Sequence, residues 1–143
     1  WPKGEEVKEM VVDKNLVMSD AQVLTASTVF YSTNVIDTEV ADSNIGAGTP
    51  LWLVCRINTT LAGTSGTLVV ALQNCATSGG TYLDIAISPA YTTAQCVKGF
   101  DLLTIPLPVD NLRYLGMRYT PATGTGYPTG KVDALITTQA PRN

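Results

Sequence analysis

The chain of 143 residues contains no histidine. Histidine is the usual proton carrier of catalysis at neutral pH, so Ser-His-Asp and Cys-His catalytic arrangements are excluded. The three cysteines, Cys55, Cys75 and Cys96, are an odd set and lie too far apart for a CxxC metal or redox motif. We therefore expect no enzymatic activity, no metal, no cofactor and no disulfide framework, and free thiols suit a reducing cytoplasm.

Positive charge is also scarce. Nine Lys and Arg residues against twelve Asp and Glu residues give a formal net charge of −3, and no cation lies between Lys14 and Arg56 or between Arg56 and Lys98. Nucleic-acid binding needs clustered cations, because counterion release from the phosphates drives most of the affinity. No apolar run approaches the roughly 18 residues of a membrane-spanning helix. We expect neither a nucleic-acid partner nor a membrane.

What the sequence does contain is the pattern of an all-β protein. Clusters of Gly, Ser, Thr, Asn and Pro recur about every 10–18 residues, and the segments between them are rich in β-branched and aromatic residues. The segment Tyr82–Ser88 alternates, with Leu83, Ile85 and Ile87 on one face, and Lys131–Thr138 repeats the pattern. Both segments are predicted to be half-buried strands.

Two further segments are apolar on both sides, which predicts central strands covered on both faces. They are Leu51–Ile57 and Thr67–Gln73. Arg113–Tyr119 alternates around Gly116, where a glycine inside a strand predicts a bulge or a close backbone approach. With the strands expected in Ala21–Asp37, the count is about eight, and two packed antiparallel sheets in a jelly-roll-like sandwich are the economical architecture.

The domain boundaries follow from a change in composition near the start. Trp1–Glu9 carries five charges and is predicted to be a flexible extension, whereas residues 10–143 are predicted to form a single β-sandwich domain. Met10 would be a natural translation start. On this interpretation the extension lies outside the folded domain.

Few residues could carry chemistry. Asp37, Glu39 and Asp42 are neighbouring carboxylates in a turn-rich stretch, where solvated charge is the ordinary explanation. Asp42–Gly46 is half of a calcium loop without its closing Glu. Strand-borne aromatics could line a sugar-binding platform, although core or interface packing is the commoner role; these aromatics are Trp52, Tyr82, Tyr91, Tyr114, Tyr119 and Tyr127.

An ordered string of short motifs resembles a known family of phage proteins. It comprises Asp13–Leu16, Ser19–Gln22, Ser32–Asp37 and Gly46–Leu51, and Arg113–Leu115, Tyr119, Gly130–Val132 and Gln139–Pro141 are similar to the closing segments. The family is the capsid cement proteins of podoviruses similar to the Bordetella tropism-switching phage. The resemblance covers residues 10–143.

The resemblance implies a jelly-roll-like protein that joins the outer capsid surface of a virion after synthesis in the bacterial host cytoplasm. It implies a homo-oligomer, dimer or trimer, that bridges major capsid proteins and performs no chemistry. We expect the contacts in the N-terminal segment, which could pair with a strand edge, and in two long loops. The candidate interface residues are Val11, Val12, Leu16, Val17, Asn44, Pro50 and Tyr127.

The chief alternative is a carbohydrate-binding or receptor-binding sandwich, because the same architecture hosts many functions. A sugar binder should offer exposed aromatic side chains and retain its ligand as an isolated protein. A cement protein should bind to capsids.

Overall fold

The computed structural model describes residues 16–24, 29–42, 51–62, 66–107, 112–122 and 129–138. These residues contain ten β-strands. The predicted extension, Trp1–Glu9, lies outside these residues. The strands are β1 (Val17–Val23), β2 (Phe30–Tyr31), β3 (Ile36–Asp42), β4 (Trp52–Thr59), β5 (Thr67–Cys75), β6 (Leu83–Ile87), β7 (Tyr91–Thr92), β8 (Asp101–Pro106), β9 (Leu112–Ala122) and β10 (Lys131–Thr137).

The strands form two antiparallel sheets. The first sheet has the order β1-β10-β4-β8, and the second has the order β2-β9-β5-β6, with β3 also on β9 and β7 also on β5. β2 and β3 share one edge of β9, and β6 and β7 share one edge of β5. Counting each pair as one interrupted strand gives eight strands in the orders 1-8-3-6 and 2-7-4-5, which is the jelly-roll arrangement. The predicted all-β two-sheet sandwich is confirmed.

The core lies between the two sheets and is built from the inward-facing residues, which alternate with outward-facing residues along each strand. In β9, Leu115, Met117 and Tyr119 are buried, and β10 contributes Val132, Ala134 and Ile136. These are the faces that period-2 alternation predicts. The central position predicted for β4 and β5 is also confirmed, since β4 lies between β10 and β8, and β5 lies between β9 and β6.

β6 departs from the predicted alternation. The sequence pattern puts Leu83, Ile85 and Ile87 on one face, but the pairing with β5 shifts register between Leu72 and Gln73. Ala86 lies opposite the buried Leu72, whereas Asp84 lies opposite Gln73 on the outer face.

A β-bulge explains this difference, because one extra residue reverses which face the following side chains occupy. Ile85 packs partly against the core, whereas Leu83 and Ile87 are 63% and 56% exposed. The prediction that the three residues share a face is wrong.

Gly116 in β9 is paired with Gln73 of β5 without a register shift. The irregularity lies on the other side of β9, where β2 ends at Tyr31 and β3 begins at Ile36. There Ser32 replaces the strand pairing: its backbone N–H donates to Met117 O at 2.9 Å, and its Oγ accepts from Met117 N at 3.1 Å. The irregularity expected at Gly116 therefore lies at Met117, on the side of β9 that faces β2 and β3.

The edge at which β1 faces β2 is closed by a chain of hydrogen bonds between the sheets. Ser19 Oγ donates to Gln22 Oε1 at 2.6 Å and lies 2.7 Å from the hydroxyl of Tyr119. Gln22 Nε2 donates to Tyr31 O at 2.8 Å, and Gln22 Oε1 also accepts from Thr33 N at 2.9 Å. One side chain thus ties the two sheets together.

All three cysteines are free and buried. Burial raises the pKa of the Cys55 thiol far above its ordinary value, with the carboxylates of Asp133 and Asp101 adding to the effect. Burial alone raises the pKa of Cys96 to about 11. Cys55 therefore behaves as the small apolar core residue that the sequence predicts.

Candidate functional site

The predicted interface residues fall into two groups. Leu16 directly precedes β1, an edge strand of the first sheet, Val17 is the first residue of that strand, and both are half-buried. Leu16 packs against the core, and Val17 is paired with Leu135 of β10. The other candidates, Val11, Val12, Asn44, Pro50 and Tyr127, lie outside the described residues.

The sequence places three carboxylates close together, Asp37, Glu39 and Asp42, and the first of them has a structural role. Asp37 binds the guanidinium of Arg113 through both of its oxygens, at 2.7 and 3.0 Å. Asp37 Oδ1 also accepts from the backbone N–H of Glu39 at 2.8 Å, and Glu39 has a φ of 67°. Asp37 thus holds a bulge in β3 in place, and the side chain of Asp42 lies outside the described residues.

The pairing with Arg113 should be visible in the titration of Asp37. The hydrogen bond from Arg113 and that from the Glu39 backbone hold the pKa of Asp37 below its usual range. Because the folded pKa is lowered, the pairing favours the folded state above the ordinary carboxyl pKa and is lost as the pH falls through the folded value. Arg113→Gln should raise the pKa of Asp37 towards its ordinary value, as measured by carboxyl NMR titration.

A matched control for this titration is Arg56→Gln. Arg56 forms a comparable ion pair with Asp101 at 2.5 Å in the first sheet, away from Asp37. The control should leave the Asp37 titration unchanged. An Asp37 pKa that is the same in Arg113→Gln and in the unaltered protein would contradict the assignment.

Neither a metal site nor a membrane-spanning helix is present in the described part of the chain. Residues 16–24, 29–42, 51–62, 66–107, 112–122 and 129–138 contain no cluster of three His, Cys, Asp or Glu side chains that could hold a metal ion. No helix within these ranges has the length and apolarity needed to cross a bilayer.

Three of the six aromatic residues considered for a sugar platform are used in packing. Tyr119 is fully buried, and its ring lies 5.2 Å from that of Phe30. Tyr91 packs edge-on against Phe100, with 4.9 Å between the ring centroids. Tyr114 lies beneath the guanidinium of Arg113. These three tyrosines do not form a shared flat surface.

Tyr82 instead lines a groove on the outer face of the second sheet. The groove has a volume of about 400 Å³, and its lining includes Tyr31, Val35, Tyr82, Gln73 and Gly116. Gly116 and Gln73 are paired across β9 and β5 and form its floor. Tyr31 is 60% exposed, so part of its ring is available for contact.

A second surface feature is the outer edge of the second sheet. β6 is the last strand in the order β2-β9-β5-β6, so one side of its backbone has no neighbouring strand in the described sheet. Leu83 and Ile87 project from this strand and are largely exposed. Large apolar side chains on an edge strand are a typical feature of a protein-binding surface. We name Leu83–Ile87 the β6 edge.

Comparison with known proteins places the chain in a family. A model of the family described as Bbp16 matches residues 18–136. The chain belongs to the Bbp16 family. The Bbp16 match runs from Met18 in β1 to Ile136 in β10 and therefore covers the sandwich except for its first and last strand residues, Val17 and Thr137. Bbp16 names a Bordetella phage protein family, which agrees with the phage resemblance of the sequence motifs and indicates a structural protein of the virion. No curated protein matches the chain.

Sequence reasoning missed both surface features of this Bbp16 protein. Period-2 alternation predicts that Leu83 and Ile87 share a face with Ile85, and a bulge overturns that pattern. The sequence could not show that Tyr31 lies near Tyr82, because the two residues are brought together only by the order of strands in the second sheet. The sequence feature that could have indicated the groove was Gly116, a glycine inside a strand pattern.

Proposed function

We propose that the protein decorates and stabilises the capsid of a tailed phage by bridging major capsid proteins on its outer surface. The observation that carries the proposal is the Bbp16 match over residues 18–136, which extends from β1 to β10. The order of the cement-family motifs in the sequence supports the finer assignment. On this proposal the protein is non-enzymatic and acts as a homo-oligomer, a dimer or a trimer.

The physical basis of such a role is mass action. A protein that binds the assembled shell and not the separated subunits adds its binding free energy to the stability of the particle. Many copies repeat the same contact around a capsid. A modest contact at each site is then sufficient for a large total effect.

The β6 edge is the described surface best suited to the capsid contact. On the opposite side of the sandwich, the edges of the two sheets are bonded to each other through Gln22 and through Asn34 N, which donates to Met18 O at 3.0 Å. The β6 edge instead offers Leu83 and Ile87 for burial. A capsid segment could add a strand there, with backbone hydrogen bonds and apolar contacts.

The N-terminal contact predicted from the sequence remains a prediction. Because Leu16 packs against the core and Val17 is paired in β1, a deletion that tests the segment should end before Leu16. Removal of residues 11–15 then leaves the described strands intact.

Co-sedimentation with capsid shells that lack the decorating protein tests the proposal. The full chain should pellet with intact shells in a saturable manner and should not pellet with dissociated capsid subunits. Failure to bind intact shells at any concentration would reject the proposed function.

A further inference from the structure

Gly116 has no conformational reason to be glycine. It lies inside β9, is paired in register with Gln73, and does not adopt the left-handed conformation found at Gly66, Gly79, Gly99 and Gly130. Glycine weakens a strand interior, because its backbone loses more conformational entropy on folding than that of other residues and it provides no side chain to pack. A different property of Gly116 must therefore account for its use here.

That property is the space above Gly116. A Cβ atom added there would lie 3.6 Å from Val35 Cγ2, 3.7 Å from Ser32 Oγ and 3.9 Å from Tyr82 Cε2, which are ordinary van der Waals distances. Alanine would fit without strain, but its methyl group would occupy the floor of the groove. Glycine is the residue that keeps the groove open to its full depth.

The lining of the groove indicates what it could hold. Tyr31, Val35 and Tyr82 supply apolar walls, and Gln73, which is 5% exposed, supplies a polar group at the floor. Gln73 Nε2 donates to Asp84 Oδ1 at 2.8 Å. Gln73 Oε1 accepts no hydrogen bond from any described residue, so it is the group available to a ligand donor.

Charge in and near the groove favours a neutral ligand. None of the described residues that line the groove carries a formal charge. The Asp84 carboxylate, beside the groove residue Gln73, is already bound by Gln73 and by Arg118 Nη1, which lies 3.0 Å from Asp84 Oδ2. A phosphate or a carboxylate ligand would find no unpaired cation in this lining.

We propose that this groove binds one ring of a neutral sugar. The apolar C–H face of the ring packs against Tyr31 and Tyr82, and a ring hydroxyl donates to Gln73 Oε1. A volume of about 400 Å³ is near the lower end for small-molecule sites, which suits a single ring. The site lies on the face of the second sheet and does not depend on capsid binding at the β6 edge.

NMR titration of the isotopically labelled full chain tests the proposal. The probes are glucose, galactose, mannose and N-acetylglucosamine, with glucuronic acid as a charged comparator. At least one neutral sugar should give saturable shifts centred on the amides of Tyr31, Gln73, Tyr82 and Gly116. Glucuronic acid should bind more weakly than the matching neutral sugar.

Two variants and one control locate the binding. Gly116→Ala and Tyr31→Ala should each weaken binding of that sugar by about tenfold, through loss of space and loss of ring contact. Tyr114→Ala, on the same face but outside the groove, should leave it unchanged. The amide spectrum of each variant reports directly whether the fold is retained.

Three outcomes would overturn the proposal: no response to any of the four neutral sugars, binding that survives both groove variants, or equal weakening by the Tyr114 control. Capsid co-sedimentation of Gly116→Ala separates this site from the proposed function. Gly116→Ala should bind shells as the unaltered chain does.

Discussion

Replacing Leu83 and Ile87 together with lysine is expected to weaken binding to capsid shells at least about tenfold. Both side chains are more than half exposed, so the substitution removes little core packing and should leave the fold intact. Lysine on an edge strand opposes strand addition, because a partner would have to desolvate the charge. Sedimentation isotherms with shells measure the effect, and the urea unfolding midpoint reports the fold.

A control with the same added charge distinguishes the edge from a general electrostatic effect. Val29 and Val97 are 45% and 49% exposed and lie outside the β6 edge. Replacing both with lysine should leave shell binding within about twofold of the unaltered protein. If the two double variants weaken binding equally, or if the β6 variant binds normally, the β6 edge is not the capsid contact.

Tyr119→Ala is expected to lower the free energy of unfolding by about 3–5 kcal/mol. The Tyr119 side chain is fully buried between the sheets, packs against Phe30 and reaches Ser19 through its hydroxyl. Because Ser19 Oγ uses its proton to bind Gln22, the tyrosine hydroxyl is the donor to Ser19. Tyr119→Phe, which removes only this hydrogen bond, should cost about 1 kcal/mol by urea unfolding.

A double-mutant cycle tests whether this hydrogen bond holds the two sheets together. Ser19→Ala should also destabilise the protein, since it leaves the buried tyrosine hydroxyl without its acceptor. The combined variant, Ser19→Ala with Tyr119→Phe, should be more stable than the sum of the two effects predicts. Strict additivity would show that the contact between Ser19 and Tyr119 contributes nothing to stability.

The architecture could be predicted from the sequence where strands are regular. β9 is paired with β5 without a register shift, and so is β10 with β4 from Val132 to Thr137, so period-2 alternation identified the buried faces of β9 and β10. In β6 the bulge near Ile85 reverses the faces, and no residue pattern in Leu83–Ile87 marks the extra residue. Local periodicity therefore fails where strand pairing is irregular.

The surface features depend on contacts between distant segments. Ser19 and Tyr119 are 100 residues apart, and the order of strands brings them together. The groove likewise combines Tyr31, Tyr82 and Gly116 from three parts of the chain. The sequence identified Tyr82 as a candidate aromatic and Gly116 as an unusual strand residue. It contained no local signal that they share one site.

The most direct test of a capsid-stabilising role is the thermal dissociation of shells with and without this protein. The free energy of binding at each site should raise the temperature at which the shells release their subunits, and the rise should saturate as the sites fill. The Leu83→Lys and Ile87→Lys double variant should give little or no rise. An unchanged dissociation temperature with saturating unaltered protein would contradict the account.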